Sequence, residues 1–158
     1  MANKRTTDPG TDAAARPRYR EALEAIGRYF DQQLYRSIFI AEVEDGYIGK
    51  ARPAEEEVEL RAEGFTFPAD DVRALIADAA STPPEPIDDG PPYCPDGYGV
   101  LMRAVGTRCD ALAARDVAVL EVINGFVFSY TTMAGDSATR HRILLDRTGI
   151  EDLIGEDA

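Results

Sequence analysis

The stretch AIGRYFDQQLYRSIFIAEVEDGY, residues 25–47, returns without gaps 79 residues later as AVGTRCDALAARDVAVLEVINGF, residues 104–126. Ala25, Gly27, Asp31, Arg36, Glu42, Val43 and Gly46 recur as Ala104, Gly106, Asp110, Arg115, Glu121, Val122 and Gly125. Ile26, Ile38, Ile40 and Tyr47 meet the conservative partners Val105, Val117, Val119 and Phe126. A period of this kind decides how the chain is read, because matching segments are expected to fold alike.

Downstream the match continues at an offset of 78: Phe65, Phe67, Val72, Leu75 and Ile76 align with Ile143, Leu145, Ile150, Leu153 and Ile154. One deletion in a surface loop accounts for the slip, since loops tolerate changes of length.

Each copy predicts the same elements. A helix opens near Pro17, a residue suited to the first turn, and Tyr19, Leu23, Ile26, Phe30 and Leu34 form an apolar stripe at three- and four-residue steps. Leu101, Val105, Cys109 and Leu112 repeat it. Strands rich in β-branched residues follow at Ser37–Glu44 and Asp116–Ile123. Asp45-Gly46 and Asn124-Gly125 are favoured two-residue hairpin turns, leading into Tyr47–Ala51 and Phe126–Tyr130. Third strands are expected at Val58–Phe67 and Arg140–Leu145, and closing helices near Ala69 and Thr148. Asp70 and Asp71 suit a helix N-terminus.

The predicted fold is α+β: a tandem duplication of an α-β-β-β-α unit, with antiparallel sheets, helices on one face, and a pseudo-two-fold axis between the copies. The expected organisation is a flexible tail over 1–15, a first repeat over 16–80, a proline-rich linker over 81–99 and a second repeat over 100–158. With Asp45-Gly46 and Asn124-Gly125 central in their turns, Glu44 pairs with Tyr47 and Ile123 with Phe126. One face of the second copy then carries Val117, Val119, Ile123, Phe126, Phe128 and Tyr130, and the other Ala118, Leu120, Val122 and Val127. Both are apolar, so the face without helices must meet the other copy or another subunit.

The formal net charge is -12. Residues 1–20 hold five cations against two carboxylates, so the rest carries -15. Such a body repels phosphate backbones and disfavours nucleic acid as a partner. The longest apolar runs are strand-sized, so no membrane span is expected. The polar N-terminus shows no secretory h-region. Cys94 and Cys109 read as free thiols of a reducing cytoplasm.

His141 is the single histidine. With no Cys-x-x-Cys pair either, neither a metal site nor a cofactor is expected. Arg140-His141-Arg142 reads as a solvated edge strand blunted by charge. Glu42 and Glu121 stand out because each interrupts an apolar strand, where a carboxylate costs free energy unless paired or solvated. Copies packed face to face would bring them together and raise one pKa. They head the candidate ligand-binding set, with Tyr47, Tyr130 and Arg142 beside them. Asp31 with Arg36, and Asp110 with Arg115, are expected to pin the helix-to-strand corners as ion pairs. Gly27 and Gly106, in helix interiors, are expected to allow close helix-to-sheet packing. Asp45-Gly46-Tyr47-Ile48-Gly49 lacks the strand-loop-helix setting of a phosphate loop. Asp88-Asp89-Gly90 and Asp96-Gly97 lack EF-hand spacing.

The element order resembles the double-stranded-RNA-binding domain in topology alone. That family places lysines at the start of its final helix, and neither Ala69-Asp70-Asp71-Val72-Arg73 nor Arg147-Thr148-Gly149-Ile150-Glu151 holds one. Small acidic proteins of the type III secretion chaperone kind are similar in element order, an analogy at the level of fold. Excess apolar strand surface without a catalytic constellation leads to the expectation of a non-catalytic interaction module, chaperone- or adaptor-like, with a protein partner or self-association. The alternative is a small-ligand binder or enzyme with its pocket between the repeats.

Overall fold

A computed structural model describes residues 17–53, 62–82 and 96–157. Among them are four helices and six strands: α1 (Tyr19–Gln32), β1 (Tyr35–Val43), β2 (Gly46–Pro53), β3 (Glu63–Pro68), α2 (Ala69–Ser81), α3 (Tyr98–Leu112), β4 (Arg115–Val122), β5 (Gly125–Ala134), β6 (Ser137–Leu145) and α4 (Arg147–Asp157). The chain is therefore α+β. Ser81 closes α2 and Tyr98 opens α3, so both ends of the expected 81–99 linker belong to helices. The expected tail, the first part of the expected third strand from Val58, and Cys94 fall outside the described residues.

All six strands join one antiparallel sheet in the order β3-β2-β1-β4-β5-β6. The two segments meet edge to edge. β1 and β4 pair Phe39 with Leu120, Ile40 with Val119 and Ala41 with Ala118. Ile40 and Val119, the central pair, are the residues that the offset of 79 relates. Irregular backbone limits this ladder on both sides. Ser37 (φ 56°) and Asp116 (φ 51°) sit in bulges that shift the register of each hairpin. Leu34 (φ 59°) and Ala113 (φ 53°) turn the chain out of α1 and α3. These are uncommon conformations for such side chains, and both pairs of positions are again 79 apart.

The hairpin registers differ from expectation by two residues. Val43 pairs with Gly46 and Glu42 with Tyr47, while Val122 pairs with Gly125 and Glu121 with Phe126. The central turn residues are thus Glu44-Asp45 and Ile123-Asn124. Close approach to the neighbouring strand accounts for the glycines. A Cβ on Gly46 would lie 2.1 Å from the Phe67 carbonyl oxygen, and one on Gly125 2.2 Å from that of Leu145. A shift of two preserves which face each side chain occupies, so only Ile123, now at a turn and 91% exposed, leaves its expected face.

The helix-covered face holds the core. Ile38, Ile40, Tyr47, Ala51, Phe67, Val117, Val119, Phe126, Phe128, Tyr130 and Leu145 are buried there with Leu23, Ile26 and Phe30 of α1 and Leu101, Met102 and Val105 of α3. The first half is aromatic: Phe30, Tyr35 and Phe65 meet edge to face at 5.2–5.9 Å. At the aligned positions the second half has Cys109, Ala114 and Ile143.

Gly27 and Gly106 serve helix-to-helix packing, in place of the expected helix-to-sheet packing. A Cβ on Gly27 would meet the Tyr98 carbonyl oxygen at 2.9 Å, and one on Gly106 would meet Arg20 Cα and the Tyr19 carbonyl oxygen at 2.5 Å. Backbone atoms cannot swing aside as a side chain can. Gly106→Ala is expected to lower stability by about 1–3 kcal/mol through overpacking, despite alanine's ~1 kcal/mol advantage in helix propensity. Gly155, in α4, has nothing within 4 Å of its virtual Cβ. Gly155→Ala should leave stability unchanged or raise it, and denaturant melts of the two variants check the contrast.

Candidate functional site

The seam between the halves is built from acidic side chains reaching across it. Neither α1 nor α3 has a side-chain cap of its own. Asp110, near the end of α3, accepts the Tyr19 and Arg20 N–H groups at 3.0 and 3.1 Å. Asp31, near the end of α1, accepts those of Tyr98 and Gly99 at 2.8 and 2.9 Å. Each carboxylate thus neutralises orphan donors and the positive end of the opposite helix, and the two helices run antiparallel. The expected corner ion pairs give way to this capping as the main role of Asp31 and Asp110. The charges of Arg36 and Arg28 also act on Asp31, favouring its ionised form.

Glu42 and Glu121 complete the short β1–β4 ladder. The register places Glu121 opposite Ile38 and Glu42 opposite Val117, just past the last paired residues. Glu121 Oε1 accepts the Ile38 N–H at 2.9 Å and the Tyr98 hydroxyl at 2.7 Å. Glu42 Oε1 accepts the Val117 N–H at 3.3 Å and the Tyr19 hydroxyl at 2.7 Å. The two carboxylates do not meet, since four strand positions, about 13 Å, separate them. Tyr19 and Tyr98 are the partners that the sequence reading missed. They too are identical at the offset of 79, six residues upstream of the matched stretch.

Burial holds the acid of Glu121 above the usual carboxylate range, against the opposing pull of the Ile38 and Ser37 N–H groups and of Arg36. Burial does the same to Asp31. It raises the Tyr19 hydroxyl strongly, with the Glu42 carboxylate adding to the effect, and pushes the buried free thiol of Cys109 up to about 12. Tyr19 and Cys109 are therefore held protonated at neutral pH and are poor nucleophiles.

Of the other candidates, Tyr47 is buried opposite Glu42. Tyr130 is buried and stacked on His141, with ring centroids 4.7 Å apart, and His141 Nε2 lies 2.8 Å from the Thr132 hydroxyl. Arg142 stands on the opposite sheet face, across from Ser129 on the edge strand β6. Glu42 and Tyr47 come together, whereas Glu121, Tyr130 and Arg142 do not join them.

Glu42 and Tyr47 line an open groove of about 1090 Å³. Tyr19, Val72 and Arg73 from the first half and Asp110, Ala114, Arg115 and Asp116 from the second complete its principal walls. Among the described residues no group of three or more His, Cys, Asp or Glu side chains is placed to hold a metal, and no helix is long and apolar enough to cross a membrane.

The second candidate surface is the sheet face that no described helix covers, called the uncovered face below. Antiparallel sheets with one solvated face normally alternate apolar-in, polar-out. Here the outward positions include the apolar Phe39, Ala41 and Val43 on β1, Ile48 on β2, Ala118, Leu120 and Val122 on β4, Val127 on β5 and Leu144 on β6, with the polar Lys50, Thr66, Ser129, Thr131, Arg140 and Arg142 around them. Phe39, Leu120, Val127 and Leu144 stand side by side across four strands, and Leu144 is 67% exposed. Comparison of the chain with protein-family models, with curated proteins and with solved structures gave no match in any of the three.

Asp31 and Glu121, both raised by burial, generate a pH dependence. An acid whose pKa is raised by folding binds its proton more tightly in the native state than in the unfolded chain. Its contribution is therefore fully present below the ordinary carboxylate pKa and is lost as pH rises through the raised native value. Glu121→Gln keeps an Oε1 acceptor for Ile38 and Tyr98 but cannot ionise. Between about pH 4 and pH 7, urea denaturation should show a smaller loss of stability for Glu121→Gln than for the wild type. Glu121→Ala should cost about 1–3 kcal/mol, because two buried donors lose their acceptor.

Proposed function

We propose that this chain is a non-catalytic protein-interaction module, a tandem duplication whose halves are related by a pseudo-two-fold axis, and that its uncovered sheet face is where a partner docks. The observation that carries the reading is the row Phe39, Leu120, Val127 and Leu144, where a solvated sheet face would carry polar residues. Reciprocity supports the duplication. Asp31 serves Tyr98 and Gly99 as Asp110 serves Tyr19 and Arg20. Glu42 and Glu121 are likewise exchanged, and Ile40 pairs with its own counterpart. A reducing, cytoplasmic setting belongs to the proposal, supported by the buried free thiol of Cys109.

Leu120→Asp and Leu144→Asp place charge on this face without touching the core. The expected result is that a partner retained by the wild-type chain in affinity capture is lost by both variants while thermal stability is kept. Capture of the same proteins by wild type and variants, or a strictly monomeric chain that retains none, would contradict the reading.

One observation favours a second reading, a small-ligand binder: the groove takes its walls from both halves, and domain seams are favoured sites for pockets. Ala114 stands in it at the position aligned with Tyr35. In a thermal-shift screen of metabolites, that reading expects a shift that Ala114→Tyr and Glu42→Gln abolish. A shift indifferent to both removes it.

A further inference from the structure

We propose that the occupant of the uncovered face is an acidic, apolar segment of another protein, an amphipathic helix whose carboxylates flank its apolar stripe; this rests on the reading of that face as a docking surface. Charge complementarity favours this occupant. The whole chain carries -12, yet the registered positions of this face hold Lys50, Arg52, Arg140 and Arg142 and no carboxylate. The carboxylates at registered strand positions, Glu42, Glu63 and Glu121, all belong to the helix-covered face. Asp116 sits in the bulge, at the rim of the groove.

The cations flank the apolar row on both sides. Lys50 stands next to Phe39, while Arg142 is two positions from Leu144 on β6 and Arg140 four. Arg140 is already oriented, bonded to the hydroxyls of Thr131 and Ser129 at 3.0 Å and to the Asp116 carbonyl. The row Phe39–Leu120–Val127–Leu144 spans three strand spacings, about 14 Å, enough to seat a helix about 10 Å across.

Other occupants fit less well. A second copy docked two-fold through this face would set one group of cations against another. A nucleic acid would meet a single aromatic side chain, Phe39, where single-strand binders offer stacking platforms. It and an anionic membrane would also extend past the cations of this face onto the acidic remainder of the body, which a single short helix does not.

The test uses the full chain and three labelled 14-residue helical peptides with the same leucine stripe, the remaining positions being Glu, Gln or Lys. Fluorescence anisotropy at low salt should show the Glu peptide binding about tenfold more tightly than the Gln peptide, with the advantage shrinking as salt is raised. The Lys peptide should bind most weakly. Lys50→Glu combined with Arg142→Glu, both at exposed positions, should reverse the order, and Leu120→Asp should abolish binding of all three. Equal binding of the Glu and Gln peptides, lost in Leu120→Asp, would overturn the acidic preference and leave the docking reading standing. Binding of single-stranded RNA or phosphatidylserine vesicles in place of the Glu peptide, or self-association that Leu120→Asp removes, would name a different occupant and overturn the inference. Failure of every probe to bind would overturn both.

Discussion

Three backbone pairs between β1 and β4 hold the molecule together as one sheet. So short a ladder leaves the next amide on each strand, Ile38 and Val117, without a backbone acceptor. A buried N–H in that state costs as much as a lost hydrogen bond. Glu121 and Glu42 supply the acceptors from the facing strand and are themselves fixed by Tyr98 and Tyr19. A carboxylate in an apolar strand is costly by itself. Here the cost is offset by two charge-assisted hydrogen bonds per carboxylate, and the raised pKa of Glu121 is what remains of it.

The helix layer repeats this logic. α1 and α3 each begin without a local cap and end near an aspartate that caps the other. The helices must therefore lie close together, and Gly27 and Gly106 remove the Cβ atoms that would prevent it. Caps, glycines and ladder acceptors all cross the seam, so each half is completed by the other. Among the described residues, placing the helices on one side leaves the other face of a six-stranded sheet uncovered, and the apolar residues there follow from no requirement of the fold. That surplus, together with the absence of carboxylates from the registered positions beside it, points to this face as the functional one.

Much of the fold was legible because it rests on local chemistry. The identities at one offset and the paired Asp-Gly and Asn-Gly dipeptides placed the hairpins. Alternation assigned side chains to the correct faces even with the turns misplaced, because an error of two residues preserves parity. Contacts across the seam were not legible. Asp31 lies five residues before Arg36, and nothing local says that its carboxylate turns to the start of another helix. Glu42 and Glu121 were visible as anomalies, but their purpose depends on where the bulges at Ser37 and Asp116 end the ladder. Tyr19 and Tyr98 were within reach: extending the comparison six residues upstream exposes the identity and, with it, a hydroxyl donor for each glutamate.

The two halves share one sheet through β1 and β4, centred on Ile40 and Val119. Cross-strand backbone NOEs in the isotope-labelled chain test it most directly. Contacts are expected between Phe39 and Leu120, Ile40 and Val119, and Ala41 and Ala118, all within one monomer. Well-formed hairpins in each half without those contacts, or the same contacts arising only between chains of a dimer, would contradict it.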